Sequence, residues 1–385
     1  EYVRLTIDET RFLSGQIDSL PASPVVHTNV GISRRRGYLD VSFLPIVYRD
    51  GCFQKMLSFK MRIERTPKPS VRGIMRTSAS GVTRYAANSV LASGRWVKIS
   101  VTSDGVYRMT PDFLKRIGFS DPSRVKLYGY GGHVQDEVID ADNDFDDLEE
   151  VPLYRDEKGL LFYANGLIKW TDLEYNSQAS GYEMGHRINN YARQACYFLT
   201  EGDGPAVIQQ IDNSHLEPEY HTSYYYDASL YKKEEFAWYQ AGRNLYENYN
   251  YANGNSRTYS LPIYNPHNNS AVLTVSFTAA SSSASTVTPH VNGETLTPVT
   301  MNGLPQYTRA TTGKRSYLIE NISGNTLDVT LNTTSGVDAR LDYLKLTYLR
   351  KFVMSESWLP VGDEHSGVVE FTVDVQNRGR VELWR

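Results

Sequence analysis

The stretch GRWVKISVTSDGVYRMTPDFLKRIGFSDPSRVKLYGYGG, residues 94–132, holds the clearest structural signals of the chain. Apolar and polar residues alternate over residues 96–101, which predicts a strand with one buried face. Asp104-Gly105 follows, and this pair favours the positive φ angles of a tight turn. The sequence therefore predicts a hairpin whose second strand covers residues 106–109.

The second half of this stretch predicts a short helix and another strand. Thr110 offers an N-cap hydroxyl, Pro111 suits the first helical position, and Gly118 can end the helix. Phe113, Leu114 and Ile117 would share its buried face. Val125 then starts a strand that runs into closely spaced glycines.

Period-2 alternation also marks the N-terminal region. Leu57, Phe59, Met61 and Ile63 alternate with polar residues, which predicts a strand with its apolar side chains on one face. Asp50-Gly51 precedes it and predicts a hairpin. This region is expected to form a small β domain.

The C-terminal half again has strand signals. Leu273, Val275 and Phe277 alternate with polar residues, as do Leu327, Val329 and Leu331, and Asn292-Gly293 is a strong two-residue turn. We predict a mainly β protein: a small N-terminal β domain, a mixed α+β, tyrosine-rich middle domain, and a C-terminal β-sandwich or jelly roll.

The predicted domain map follows from changes in composition. Residues 1–66 form the N-terminal β domain, and residues 67–93, a Ser- and Ala-rich stretch with four Lys and Arg residues and no acidic residue, form a basic linker. Residues 94–255 form the middle domain, with a helix predicted at about 229–241. Residues 256–352 form the sandwich, and 353–385 a further segment.

Composition excludes several classes of protein. The 385 residues carry 40 Lys and Arg against 44 Asp and Glu, so no basic field predicts a nucleic-acid partner. No run of about 18 apolar residues occurs, so no transmembrane segment is expected. The 28 tyrosines against 13 phenylalanines favour aromatic surfaces that are partly in contact with water.

The two cysteines, Cys52 and Cys196, lie too far apart in sequence for a clustered zinc site, and the interpretation we favour for both is structural. His186 is the histidine nearest to Cys196. A peptidase that uses Cys196 as its nucleophile is the alternative, and it would require a thiolate beside an imidazole.

An acidic run offers a candidate metal site. Asp140, Asp142, Asp144 and Asp146 place carboxylates at every second position, the spacing by which a loop wraps Ca²⁺. The run lacks the glycine and glutamate of a calcium loop, so a solvated acidic loop is the main expectation and bound calcium the alternative. No other cofactor is predicted.

Two surface features could contact partners. Arg34-Arg35-Arg36 predicts a solvated turn, or else a contact with an anionic partner. The tyrosines between residues 220 and 251 are expected mainly to pack between domains, although they could also stack on sugar rings. The tyrosines considered for that role are Tyr224, Tyr225, Tyr226, Tyr246, Tyr249 and Tyr251.

Taken together, these stretches resemble a known family. Residues 94–132, the hairpin region of residues 39–63, Asn88 to Gly94, Leu161 to Gly166, and Gly242-Arg243 ahead of Tyr246-Glu247 occur in the same order in one kind of protein. That protein is the gingipain-type cysteine peptidase that acts as the sortase of type IX secretion. The resemblance covers about residues 38–350 and the region ahead of the catalytic domain. The chain departs from it at Leu245-Tyr246-Glu247, where the family tends to have Trp-Tyr-Gly-Glu.

The resemblance implies a function for the full-length relative. It would cleave the C-terminal signals of exported cargo and attach the cargo to anionic lipopolysaccharide at the cell surface or outer membrane. The catalytic Cys and His would lie beyond Arg385, with residues 353–385 leading toward the peptidase domain, so no catalytic residue is assigned here. The implied partners are this peptidase domain, other type IX secretion components and cargo proteins.

The sequence leaves three hypotheses open. The first is a non-catalytic N-terminal scaffold of such a sortase, in a chain that we expect to be a piece of a longer protein. The second is a free-standing surface β protein that binds carbohydrate through the sandwich and Tyr249 or Tyr251. The third is the Cys196 peptidase.

Limited trypsin digestion tests the domain map. We expect the first cuts between Arg65 and Arg95, since a basic segment that buries little surface is open to the protease. Mass spectrometry should then find a stable product that begins at about residue 94. Preferential cutting at other sites would contradict the map.

Overall fold

The computed structural model describes residues 2–5, 20–33, 36–62, 86–139, 145–213, 215–240, 244–334, 336–355, 357–363, 365, 367–376 and 381–384. The fold is mainly β, as predicted, and the chain divides into two compact units, Glu1–Ile74 and Met75–Arg385. None of the helices described is long and apolar enough to cross a membrane. Most of the predicted linker, with Arg34, Arg35 and Gly242, lies outside the described residues.

The first unit contains a three-stranded sheet and a two-stranded sheet. Its strands are β1 (Tyr2–Arg4), β2 (Val26–Ser33), β3 (Arg36–Phe43), β4 (Ile46–Arg49) and β5 (Cys52–Met56). β5 lies between β1 and β4, and β2 pairs with β3. Asp50 and Gly51 have φ angles of 53° and 71°, so the predicted turn at this pair is confirmed as the β4–β5 hairpin.

The strand predicted at residues 57–63 is wrong for the part that the structure describes. Residues 57–62 follow β5 without joining a sheet, and Leu57, Phe59 and Met61 are exposed. Phe59 packs edge-on against Phe43, with ring centroids 5.0 Å apart. The alternation correctly indicates an extended chain, but a strand also needs a neighbour to accept its backbone hydrogen bonds.

The middle part of the chain forms two small sheets around one core. Its elements are β6 (Val97–Val101), β7 (Gly105–Met109), α1 (Pro111–Arg116), β8 (Val125–Gly131), β9 (Glu150–Val151), β10 (Tyr154–Asp156), β11 (Gly159–Ala164), β12 (Ile168–Asn176), β13 (Gly181–Ile188) and β14 (Ala195–Glu201), with 3₁₀ turns at Val90–Ala92 and Pro122–Arg124. One sheet has the order β6-β14-β8-β9 and the other β10-β11-β7. Leu114 of α1 and Phe162 of β11 are buried in the core that the two sheets share.

The hairpin predicted at Asp104-Gly105 is wrong, because β6 and β7 belong to different sheets. β6 pairs with β14 and β7 with β11. The Asp104 carboxylate instead accepts a hydrogen bond from the backbone N–H of Gly166 at 2.6 Å. The Asp-Gly pair therefore turns the chain from one sheet to the next rather than closing a hairpin.

The predicted helix is confirmed. The Thr110 hydroxyl accepts from the Phe113 N–H at 3.2 Å, Pro111 occupies the first turn, and Leu114 is fully buried. Gly118 follows with a φ of 91°, a conformation that costs a glycine little. The local signals were sufficient here because capping bonds join residues close in sequence.

Residues far along the chain return to the middle sheets. The Trp358 ring lies 3.3 Å from where a Cβ on Gly105 would be, and it packs edge-on against Tyr163. Trp384 packs against Tyr154, whose hydroxyl bonds to Glu382 at 2.8 Å. The middle part is therefore covered by side chains that follow the sandwich in sequence.

The last part of the chain is a sandwich of two antiparallel sheets. This part contains β15 (Tyr220–Thr222), β16 (Tyr224–Lys232), β17 (Ser256–Pro262), β18 (Pro266–Ala280), β19 (Ser285–Val291), β20 (Glu294–Thr295), β21 (Val299–Met301), β22 (Thr311–Glu320), β23 (Thr326–Thr333), β24 (Asp338–Lys351) and β25 (Val369–Phe371), with a 3₁₀ turn at Tyr251–Asn253. β15 and β25 pair in parallel as a separate two-stranded sheet. One sheet has the order β16-β24-β18-β22, and β17-β23-β19-β20 with β21 forms the other. The predicted Asn292-Gly293 turn is confirmed and joins β19 to β20.

The helix predicted at about 229–241 is wrong for residues 229–240. β16 pairs with β24 along its whole length, from Tyr224 opposite Lys351 to Lys232 opposite Tyr343. Lys and Glu residues in this segment favour a helix locally, but pairing with a long central strand buries more of the aromatic surface. β16, which precedes residue 256, thus belongs to the sandwich.

A hairpin from the middle part covers the outer face of the sandwich. Leu273, Val275 and Phe277 of β18 point into the core between the sheets, whereas Thr274 and Ser276 are buried on the opposite face. Strand β13 contacts β16, β18 and β24 on that face. The β12–β13 hairpin is therefore a third layer and joins the middle part to the sandwich.

Core packing gives a stability prediction. Phe277 is fully buried and packs edge-on against Tyr251, with centroids 5.0 Å apart. We expect Phe277→Ala to lower the free energy of unfolding by about 3–5 kcal/mol, because it leaves a cavity. Ile211→Ala, at an exposed position outside the sheets, should change it by about 0.5 kcal/mol or less. Urea denaturation measures both, and equal losses would contradict the assigned core.

Candidate functional site

The predicted calcium site is described only in part. Asp140, Asp142 and Asp144 lie outside the described residues, and the described part of the chain has no cluster of three or more metal-ligating side chains. The Asp146 carboxylate accepts from the Ala86 N–H at 2.5 Å. Asp147, which the sequence did not single out, accepts from the Val90 N–H at 2.5 Å, and this bond lowers the pKa of its carboxyl. Bound calcium stays a prediction.

The two cysteines lie in different settings, each half-buried and free. Cys52 follows the β4–β5 turn, and its thiol donates to the Arg49 carbonyl at 3.6 Å. Cys196 is on β14 between β6 and β8, with its thiol 3.8 Å from the Gln194 carbonyl. His186 packs instead against Trp170 and Tyr343, so the structure shows no contact that would pair it with Cys196.

The tyrosines proposed for sugar stacking have several roles. Tyr251 is fully buried, and its hydroxyl lies 3.0 Å from that of Tyr259. Tyr259 and Tyr231 each donate to the buried Glu247 carboxylate at 2.6 Å. Tyr251 cannot stack on a ligand from this position, so that part of the prediction is wrong. Burial raises the pKa of Tyr259, which therefore stays a hydrogen-bond donor.

The other tyrosines of this group divide between packing and exposure. Tyr246 is buried, Tyr225 stacks on Phe352, and Tyr249 packs edge-on against Tyr251. Tyr224 is exposed and stacks on His267 at 4.0 Å. Packing accounts for most of the group, but Tyr225, Tyr249 and Tyr251 pack within the sandwich, whereas the sequence predicted packing between domains.

A cleft lies between the middle part and the sandwich. Its volume is about 810 Å³, within the range of ligand pockets. One wall comes from residues 186–191 on and after β13, and the other from β16 and β24. It is therefore formed where the β12–β13 hairpin leaves the middle sheets.

Charged groups on the sandwich wall of the cleft are already paired. The Lys232 ammonium lies 2.8 Å from Asp342 and 2.7 Å from Glu234, and it also donates to the Leu245 carbonyl at 3.1 Å. The second Asp342 oxygen accepts from the Ser276 hydroxyl at 2.7 Å. These contacts raise the pKa of Lys232 despite its burial, so it stays charged and does not act as a nucleophile.

A buried ion pair joins strands β13 and β24 beside the cleft. Glu183 of β13 lies 3.0 Å from the Lys345 ammonium of β24, and both side chains are at least nine-tenths buried. The carboxylate also accepts from Asn176 at 2.7 Å and Ser316 at 3.0 Å, while Lys345 donates to the Met184 carbonyl. Burial acts to raise the pKa of Glu183, but the bonds from Lys345 and Asn176 bring it down to about 2. Burial lowers the pKa of Lys345, yet its ion pair keeps both partners charged at neutral pH.

His186 forms part of the cleft wall that belongs to the middle part of the chain. Its ring meets the Tyr343 ring edge-on, with centroids 4.8 Å apart. Burial, with the nearby Lys345 and Lys232 ammonium groups, lowers the pKa of His186 to about 4. The imidazole is neutral at pH 7 and lies among groups that oppose its protonation.

The lining of the cleft is mostly polar and aromatic. Among the described residues that line the cleft there is no cysteine or serine, and its lysine is held by two carboxylates. The sequence prediction missed Glu183, Lys345 and Lys232. Each lies in a segment with other charged residues, so the local pattern did not mark these three for burial.

A solved structure is similar to this chain over most of its length. No family model matches, and neither does any curated protein. Dimeric latent PorU from Porphyromonas gingivalis is similar in structure, with a TM-score of 0.61 and 28% sequence identity. The match covers 72% of this chain and 27% of that chain, so this chain spans about a quarter of the length of PorU. Over the matched region, the chain has a PorU-like fold.

Partial similarities to carbohydrate-binding modules also occur. A CBM36 module in complex with calcium and xylotriose is 19% identical over 24% of this chain and 73% of that chain, with a TM-score of 0.19. A family 35 module from Clostridium thermocellum is 19% identical over 32% of this chain and 98% of that chain, with a TM-score of 0.22. At these TM-scores neither module supports a conclusion about this chain.

The environment of His186 predicts a pH dependence. Its pKa falls from 6.5 to about 4 on folding, so the stability it confers is complete above pH 6.5 and is lost as the pH falls toward 4. We expect a loss of up to about 3 kcal/mol from this residue over that range. His186→Phe, which keeps a ring against Tyr343, should remove this loss.

Urea denaturation at pH 7.0 and pH 4.5 measures the effect. His215→Phe, at an exposed position outside the cleft, is the matched control and should keep the wild-type dependence. Glu183 contributes a separate loss of stability. It begins as the pH falls below the ordinary glutamate pKa of 4.5 and continues toward pH 2. An unchanged pH dependence in His186→Phe would contradict the assignment.

Proposed function

We propose that this chain is the non-catalytic N-terminal region of a gingipain-type sortase of type IX secretion, related to PorU. The observation that carries the proposal is the PorU-like fold at 28% identity over 72% of the chain. Independent support comes from the sequence resemblance of residues 94–132, which form β6, β7, α1 and β8 in the structure.

The role that we propose for this region is that of a scaffold and interaction platform. Within the second unit, the middle part and the sandwich are joined through buried polar contacts, since Glu183 and Lys345 bond across the layers. Such a junction holds one orientation, because separating the layers would expose two unpaired buried charges. A peptidase domain attached to this scaffold would be held in a fixed position.

The full-length protein would then act where the resemblance implies. It would cleave C-terminal signals of exported cargo and attach the cargo to anionic lipopolysaccharide at the cell surface. Its partners would be its own peptidase domain, other type IX secretion components and cargo. The peptidase using Cys196 has less support, since β14 places that thiol between two paired strands and away from the contacts of His186.

A variant in the full-length protein tests the scaffold role. Lys345→Met leaves Glu183 buried without its cation, which we expect to cost about 3–5 kcal/mol at the junction. Processing of cargo should therefore fall, and immunoblots should show cargo that retains its C-terminal signal. Lys314→Met is the matched control, because Lys314 is exposed and 4.0 Å from the same carboxylate.

Two results would contradict the proposal. One is normal cargo processing in Lys345→Met when the variant is shown to be destabilised. The other concerns the parent gene. Roughly 400 further residues are a generous allowance for one more domain. The proposal is contradicted if that stretch encodes no α/β domain with a Cys and His pair. Labelling of Cys196 by an electrophilic thiol probe at neutral pH, with loss of cleavage in Cys196→Ala, would favour the Cys196 peptidase instead.

A further inference from the structure

A second concave feature lies at the tip of the β12–β13 hairpin, where it meets the sandwich. This groove has a volume of about 270 Å³. Its lining includes Tyr175 and Tyr182 of the hairpin, Tyr226 of β16, Val272 of β18 and Leu318 of β22. It is distinct from the cleft beside His186, because no residue lines both.

The hairpin tip is fixed on the sandwich by several contacts. The Gln178 side-chain carbonyl accepts from the Ser316 N–H at 3.0 Å, and the Asn176 amide donates to Glu183 at 2.7 Å. A Cβ on Gly181 would lie 2.6 Å from a methyl carbon of Val272, so only glycine allows this close approach. The groove is thus built into the junction and does not depend on a mobile loop.

Three tyrosine rings form a continuous row along the groove. Tyr175 and Tyr182 are direct partners across the hairpin, with ring centroids 5.5 Å apart. Tyr182 and Tyr226 follow at 5.4 Å. Tyr175 and Tyr182 are 60% and 42% exposed. Aromatic rings held in a row while in contact with water are typical of recognition surfaces rather than of a core.

A bulge in β18 opens the polar side of the groove. Pro266 pairs with Arg350 and Ala271 with Tyr348, so residues 267–270 lie opposite a single residue of β24. This bulge brings Asn268 and Ser270 to the groove. Bulges of this kind re-aim side chains and are common beside binding sites. The amide and hydroxyl supply neutral donors and acceptors next to the rings.

Charge and strand pairing narrow the class of ligand. None of the described residues that line the groove is charged, so nothing in it attracts a charged ligand. Strands β24 and β18, which supply most of the lining, are each paired on both sides, so a peptide cannot join either of them as a further strand. Stacking surfaces with neutral hydrogen-bonding groups match a sugar ring, which has apolar faces and hydroxyl edges.

We propose that the groove lined by Tyr175, Tyr182 and Tyr226 binds an uncharged saccharide chain. The groove is smaller than a typical ligand pocket of about 300–1,000 Å³, so it holds a short part of the chain and leaves the rest in solvent. Tyr175 and Tyr182 stack on the sugar faces, and Asn268 and Ser270 bond to hydroxyls. This activity goes beyond the scaffold role and does not depend on a downstream peptidase domain.

Affinity electrophoresis of the 385-residue chain tests the proposal. Native gels would contain yeast mannan, dextran, arabinoxylan or galactomannan, with alginate as the anionic comparison. We expect at least one neutral polysaccharide to retard the chain. Tyr175→Ala and Tyr182→Ala should each weaken the apparent affinity about tenfold, because each removes one stacking surface.

Two further variants separate ring stacking from other effects. Tyr175→Phe keeps the ring and should retain most of the affinity, whereas Tyr307→Ala, an exposed tyrosine that does not line the groove, should bind as the wild type does. Thermal unfolding of each variant checks that the fold is intact. Should Tyr182→Ala unfold, Tyr175→Ala carries the test because that ring is the more exposed.

Three outcomes would overturn the proposal. The first is that none of the neutral polysaccharides retards the wild-type chain, even if alginate does. The second is retardation that persists in a Tyr175→Ala, Tyr182→Ala double variant. The third is binding of a fluorescein-labelled proline-rich peptide in place of the polysaccharides, measured by anisotropy and lost in the same variants, which would assign the groove to a protein partner.

Discussion

The ion pair between Glu183 and Lys345 is the contact on which the arrangement of the second unit depends. Each group is buried among strands that would otherwise exclude it, and each is stable there only because the other is present. The pair and its hydrogen-bond partners fix the β12–β13 hairpin on the outer face of the sandwich. The cleft beside His186 and the groove beside Tyr182 lie at different places along this hairpin, so both depend on the same pair.

Much of the local structure was predictable from the sequence, because its causes are local. The Thr110 cap, the Asp50-Gly51 turn and the Asn292-Gly293 turn each involve residues that are neighbours in the chain. Strand pairing was not predictable in the same way. Asp104-Gly105 has the composition of a hairpin turn but connects two sheets, and residues 57–62 alternate like a strand but pair with none in the described structure. Periodicity gives the face of a strand and says nothing of its neighbour.

The candidate sites were harder to predict than the fold. The sequence directed attention to residues with reactive or metal-binding chemistry, such as Cys196 and the aspartates after residue 139. The sites that the structure reveals are made of lysine, glutamate and tyrosine brought together from separate strands. Tyr226 and Tyr251 look equivalent in sequence, yet one lines a groove and the other is fully buried. Which of two tyrosines meets water is decided by tertiary packing, which no single segment encodes.

The return of Trp358 to the middle sheets has a consequence for the order in which the chain can fold. A ribosome produces β7 and β11 long before Trp358, and segments that emerge first usually fold first. Here the surface around Gly105 and Tyr163 stays open until the whole sandwich has been made. Contacts so distant in sequence close slowly, because a long loop must be ordered before they form. A chain cut short before Trp358 would therefore present an unfinished surface to whatever assists or degrades it.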